Sequence, residues 1–295
     1  MKLRSRCAFI YLALGCLSGC ANQAAQVDEA KWYSSQDIIK LHNQNSELQE
    51  IRKLRLTDIH ADIDLSKLNG LQELYVSNSD WGKIHNIPNG LTVLDVENVL
   101  NFALANDFRN LQKLAIHDCA NFTLNVPVSV TDFFLDVCQN VTLPDIPNSL
   151  QELRIVDTTF TQMTYLNLDA ASQLKKLTLH GGNKLLITGN LPQNLIEISI
   201  LNNAMQYNIF DISKAEHLQK VAITNVVDIK LGNNADLKEL QIFDSKNAHI
   251  TGQFPKTLEC VEVRDTSFRK GEILHVSKDT EVSLDGCKNL TVSRY

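Results

Sequence analysis

Leu71-Gln-Glu-Leu74-Tyr-Val76, Leu91-Thr-Val-Leu94-Asp-Val96 and Leu111-Gln-Lys-Leu114-Ala-Ile116 are one pattern written three times. Units of this kind open at Ile51, Leu71, Leu91, Leu111, Val130, Leu150, Leu174, Leu195, Leu218, Leu237, Leu258 and Asp279, at intervals of 19 to 24 residues. All twelve units carry an apolar residue at the fourth and sixth positions, and only Asp279 breaks the apolar first position. Alternation at four and six is what a short strand with one buried face requires. A unit this short cannot bury that face alone, so neighbouring units must stack and share a core, which predicts a solenoid.

The Leu-x-x-Leu-x-Leu opening of each unit resembles the short units of bacterial leucine-rich-repeat proteins over residues 51–295. The resemblance implies a solenoid with a parallel sheet of about twelve short strands. Five units are entered through an apolar-Pro step, at Ile87-Pro88, Val126-Pro127, Ile146-Pro147, Leu191-Pro192 and Phe254-Pro255. Proline fixes φ and donates no hydrogen bond, so it suits the crossing before a strand. Crossings such as 106–110 and 213–217 are expected to hold a short helical turn. Asn121-Phe-Thr-Leu124, Asn140-Val-Thr-Leu143 and Asn289-Leu-Thr-Val292 add a second apolar alternation. That predicts a second small strand across the coil and keeps a parallel β-helix as the alternative fold.

The ninth position, where the family keeps an inward Asn or Cys, holds Cys119, Cys138 and Cys287, with Ser79, Thr158, Asn203, Ser245 and Thr266 elsewhere. Such side chains can satisfy backbone groups at a bend. Cys119 and Cys138 are expected one strand spacing apart as buried thiols, with a disulfide as the alternative. The eighth position is Asp or Asn in nine units, read as a ladder of structural turns in preference to calcium ligands. The third position alternates in charge from Lys53 and Glu73 onward and reads as a self-satisfied ladder. The fifth and seventh positions bring Tyr75, Phe134, Val156, Leu201 and Phe243 to the outward strand face, with His117, His180, Arg154 and Arg264 near them. Large apolar groups on such a face mark interfaces. The candidate partner-binding residues are Tyr75, Phe134, Val156, His180, Leu201 and Phe243.

The N-terminus carries a second signal. Lys2, Arg4 and Arg6 precede an apolar run from Ala8 to Leu17, too short to span a bilayer, and Leu17-Ser18-Gly19-Cys20 follows. This resembles the lipobox of bacterial lipoproteins. It implies a signal peptide over 1–19, acylation of Cys20 and a lipidated tether over 20–30. Ala21-Asn22, with no Asp after the Cys, implies sorting to the outer membrane, with surface or periplasmic side open. Residues 31–50 are read as an N-terminal capping helix, with Ser34 and Asp37 as a capping box. After removal of 1–19, 25 basic and 34 acidic residues would remain. No basic stripe occurs, so nucleic acid is not an expected partner. Membrane contact is expected through the lipid alone, and no other segment reads as a membrane span.

Catalytic signatures are missing: no Gly-x-Ser-x-Gly, no His-Glu-x-x-His and no phosphate-binding Gly loop. His117 should neighbour Asp136 in the next coil, but Cys119 should point inward, so no metal or cofactor is expected. The chain reads as a non-catalytic, lipid-anchored envelope protein that binds another protein through its strand face. A periplasm-facing accessory or immunity lipoprotein and a polysaccharide-active β-helix enzyme are the alternatives.

Overall fold

The computed structural model describes residues 51–104, 108–143, 145–202, 207–232 and 234–295. The expected signal peptide, Cys20, tether and capping helix, and Asn203, lie outside these residues.

Each repeat opens one strand of a twelve-stranded, wholly parallel sheet. In chain order the strands are β1 (Lys53–Thr57), β2 (Glu73–Ser77), β3 (Val93–Glu97), β4 (Lys113–His117), β5 (Asp132–Asp136), β6 (Glu152–Val156), β7 (Lys176–His180), β8 (Glu197–Leu201), β9 (Lys220–Thr224), β10 (Glu239–Phe243), β11 (Cys260–Arg264) and β12 (Glu281–Asp285). Every strand pairs with its sequential neighbours, at the same repeat position and without a register shift. At about 4.8 Å per strand the sheet runs roughly 50 Å.

A second set of short parallel strands closes the coils on the far side: Ile63–Asp64 with Ile84–His85, Thr159–Asn167 with Asn183–Thr188, Tyr207–Asp211 with Val226–Lys230 and His249–Thr251, and Ser267–Val276 with Lys288–Arg294. The described residues thus form a parallel β-solenoid of about twelve turns with hardly any helix. Two 3-10 turns, Trp81–Lys83 and Leu168–Ala170, are the helical segments among the described residues. The helical turn expected at 213–217 is instead two successive bends, closed by Ala215 N donating to Ile212 O at 3.1 Å and Leu218 N donating to Ala215 O at 3.2 Å. The proline crossings use the same bend, with Leu195 N donating to Pro192 O at 3.1 Å. Far-side strands are what the β-helix alternative expects, while strand-and-turn units on the first side are common to both readings.

The core fills from positions one, four and six. Leu54, Leu74, Leu94, Leu114, Phe133, Leu153 and Leu177 stack at 0% exposure. An aromatic spine runs beside them, Trp81 to Phe102 to Phe122, with edge-to-face centroids 4.9 and 5.6 Å apart. Leu284 in the twelfth coil is 40% exposed, whereas its counterpart Val263 is 0% exposed.

The corner after each strand explains the Asp and Asn bias. All twelve eighth-position residues have a left-handed φ between 45° and 62°, including Gly181, Gly286 and, against the rule, Val137. Asp, Asn and Gly tolerate this region at less cost than other residues. In the coils before the last, the bend aims the amide at the next coil, as when Asn98 N donates to His117 O at 2.9 Å. The row is also linked side to side, with Asn98 Nδ2 donating to Asn78 Oδ1 at 2.9 Å. A second left-handed corner falls three residues later, at Asn101, Asn121, Asn140, Lys184, Asn247 and Asn289. Each Asn-x-Thr triplet therefore opens on a corner residue; Asn289 lies within the far-side strand Lys288–Arg294, whereas the strands expected at 121–124 and 140–143 form only isolated bridges, Thr123 with Thr142 and Val141 with Phe160.

The ninth position sews coils together. Ser79 Oγ donates to Ser77 O at 2.6 Å and accepts from Ile59 N at 2.9 Å. Ser245 does the same between Phe243 O and Val226 N. Cys119 and Cys138 occupy this row as buried free thiols, Cys119 Sγ donating to His117 O at 3.2 Å. Burial pushes the Cys119 thiol up to about 11 and that of Cys138 to about 12.

Candidate functional site: the outward strand face

Unshifted parallel pairing lines up like positions of successive coils in rows, with residues about 4.8 Å apart along each row. The third-position row carries the expected charge ladder, with Lys53 Nζ 3.1 Å from Glu73 Oε1 and Lys220 Nζ 3.0 Å from Glu239 Oε1. Solvated pairs of this kind contribute about 0.2–1 kcal/mol each and leave little to recruit a ligand.

The fifth and seventh rows differ. Tyr75 and Phe134 are half-buried, each under a cation: Arg55 sits 5.9 Å from the Tyr75 ring and Lys113 Nζ 5.2 Å from the Phe134 ring. His180 and Leu201 are also half-buried on this face. Two of the expected apolar positions are not open. Val156 is 9% exposed, set between Asp136 and His180 in the row. Phe243 is 4% exposed and lies within a closed block with Ala222, Gln241 and Glu262, in which Gln241 Nε2 donates to Glu262 Oε2 at 3.0 Å. Of the expected apolar positions on this face, the open ones are therefore Tyr75, Phe134 and Leu201.

Between these groups the two rows interlock into a polar network. His117 stands between two carboxylates, with Nε2 3.6 Å from Asp95 Oδ1 and Nδ1 3.4 Å from Asp136 Oδ2. Asp136, only 8% exposed, accepts from Arg154 Nε at 3.1 Å through its other oxygen. His180 Nε2 lies 2.7 Å from Ser199 Oγ. The neighbouring Asp136 carboxylate raises the His117 pKa above its ordinary value, against the effect of burial. Burial raises Asp95, with His117 and Lys113 opposing. Burial, and then the Arg154 charge, lower His180.

Position five of one strand and position seven of its neighbours build this network. The sequence placed His117 beside Asp136 and Arg154 near the patch, but passed over the reach of His117 back to Asp95 and the support of His180 by Ser199. The signal was available in the row order Asp95, Ala115, Phe134: Ala115 is small, leaving the His117 ring free to lean across. Cys119 points inward to its backbone partners and does not join the cluster. Among the described residues no three His, Cys, Asp or Glu side chains are placed to hold a metal ion. Chemically, an imidazole with a carboxylate at each nitrogen can hold a proton in place, and the flanking rings and Leu201 offer apolar contact. The chain matches no known family of proteins, and comparison with characterised proteins likewise finds no match.

Proposed function

We propose that this protein is a lipid-anchored component of the bacterial envelope that binds another protein through the outward strand face, without catalysis. The observation that carries the binding reading is the juxtaposition of half-buried Phe134 and Leu201 with the His117–Asp136–Arg154 network on a regular, parallel sheet. Interfaces take their affinity from a few such apolar anchors set among fixed polar groups. The anchoring reading rests on the positive n-region, apolar run and Leu17-Ser18-Gly19-Cys20 of the sequence. Acyl chains on Cys20 would hold the solenoid at a membrane by burying methylenes worth about 0.8 kcal/mol each.

Two experiments test this reading. Replacing Phe134 and Leu201 together by Ser abolishes cross-linking to the partner while leaving the melting temperature nearly unchanged; a large loss of stability would make both core residues. Labelling with radioactive palmitate marks the wild-type chain and not C20S. Protease treatment of intact cells then separates a surface module, which is digested, from a periplasm-facing accessory or immunity lipoprotein, which is protected until the outer membrane is opened.

A second reading, a polysaccharide-active solenoid, is favoured by one observation: Asp95 and Asp136 flank His117 on the strand face, within the range of residue types used for acid–base chemistry. Depolymerisation of envelope and plant glycans by the wild type, lost in D136N, would replace the binding reading with this one.

A further inference from the structure

Three outward side chains beside the His117 network have hydrogen-bonding capacity that no neighbour uses. Arg154 spends its Nε on Asp136, and among the described residues its two terminal nitrogens have no partner; the side chain is 40% exposed. Thr178 is the register partner of Arg154 on the next strand, half-buried, with its hydroxyl unpaired among the described residues. His180 follows two residues later. Burial lowers its pKa and favours the neutral ring. Nε2 lies 2.7 Å from Ser199 Oγ, Nδ1 has no partner among the described residues, and in the tautomer in which the Ser199 hydroxyl donates to Nε2 the ring proton sits on Nδ1. A forked cation, a hydroxyl and an imidazole N–H thus lie on two adjacent strands. Val156 and Leu201 flank His180 in its own row.

We propose that Arg154, Thr178 and His180, with Ser199 positioning the His180 ring, form a seat for one carboxylate of an acidic side chain on a protein partner. The seat rests on the strand-face binding reading and names the chemistry of its centre. A guanidinium edge with two parallel N–H groups matches the two oxygens of a carboxylate. Asp136 and the exposed Asp157 border the seat and both act on His180, so a doubly charged phosphate or a densely sulfated chain meets more repulsion than a single carboxylate does. The flanking Phe134 and Leu201 suit the apolar side chains of a peptide on either side of that carboxylate.

The test titrates the purified full chain with acetyl-Leu-Phe-Glu-Phe-Leu-amide and with its glutamine analogue, following line broadening of the peptide signals. The glutamate peptide binds at least about tenfold more tightly, the advantage that a forked, charge-assisted pair confers over a neutral one. R154Q brings the ratio to about one, R154K recovers part of it, and T178V lowers glutamate-peptide affinity a few-fold. Equal binding of the two peptides, lost in F134S/L201S, overturns the carboxylate seat and leaves the strand-face reading standing. Binding of neither peptide also overturns the seat, while the cross-linking of the wild type against F134S/L201S judges the strand face separately. Displacement of the glutamate peptide by phenyl phosphate at lower concentration than by acetate overturns the assignment to a carboxylate.

Discussion

Val137 is the one β-branched residue at a corner that is left-handed in every coil, with φ of 57°. Its conformation is held by the backbone: Val137 N donates to Val156 O at 2.8 Å, the same coil-to-coil bond that nine of its counterparts make. Relaxing φ would break that bond, so the strain stays. For an ordinary L-residue it costs roughly 1–2 kcal/mol. Asn at this position removes most of that cost, because its short polar side chain is at home in this region. Little burial is lost, since Val137 is already 36% exposed. Its row neighbours are Asp118 and Asp157, so the new amide finds a carboxylate to donate to, as Asn98 does with Asn78. V137N should therefore stabilise the protein by about 1–2 kcal/mol, which in a domain of this size raises the melting temperature by roughly 2–8 °C. V137G removes the same strain but adds backbone entropy to the unfolded chain, about 0.5–1 kcal/mol, and should gain less. Calorimetric melts of the three proteins decide it. If V137N and V137G both melt at or below the wild type, the corner is not strained at Val137 and the account of the turn ladder is wrong.

Two further outcomes follow from the network and the thiol row. Cys119 and Cys138, at about 11 and 12, should resist iodoacetamide at pH 8 in the folded protein and react on unfolding; rapid labelling of the native chain, or a Cys119–Cys138 crosslink seen by mass spectrometry, would contradict the structure. In an NMR titration His117 should lose its proton above the ordinary histidine value and His180 below it, and D136N should bring the His117 midpoint down. Because His117 is raised, its contribution to stability is complete below about pH 6.5 and is lost as pH climbs through its folded value. The contribution of His180, which is depressed, is present above about pH 6.5 and is lost as pH falls through its folded value. Two histidines titrating together would refute both assignments.

The rows of this solenoid could be read from the chain because each position of the repeat has one fate. Leu74 and Val76 point in, Glu73 and Tyr75 point out, and equal spacing puts Lys53 beside Glu73 without any knowledge of side-chain conformation. Of the far-side strands read from Asn-x-Thr, the one at Asn289 forms, while 121–124 and 140–143 hold isolated bridges. The strands Tyr207–Asp211 and Val226–Lys230 carry no such marker, and their pairing depends on how each coil closes. The polar network was half legible for a related reason. Adjacency of His117 and Asp136 follows from register, but the contact of His117 with Asp95 depends on which way a ring leans over Ala115, and on a small residue making room. The closed block around Phe243 has no counterpart in the repeat pattern, which assigns that position to the outside in every unit.

The far side of the coils takes up the irregular lengths. The longest interval, after Leu150, becomes the nine-residue strand Thr159–Asn167 with a slipped pairing to Asn183–Thr188, while β6 and β7 stay in step. Residues can therefore be gained or lost at the back of the molecule without moving any outward side chain. Only the addition or removal of a whole coil alters the front. Measured across the strands, Phe134 on β5 and Leu201 on β8 are three strand spacings apart, about 14 Å, and that component can change only in steps of about 4.8 Å. The front of the solenoid is a ruler graduated in coils, and anything fitted to it is matched in whole numbers.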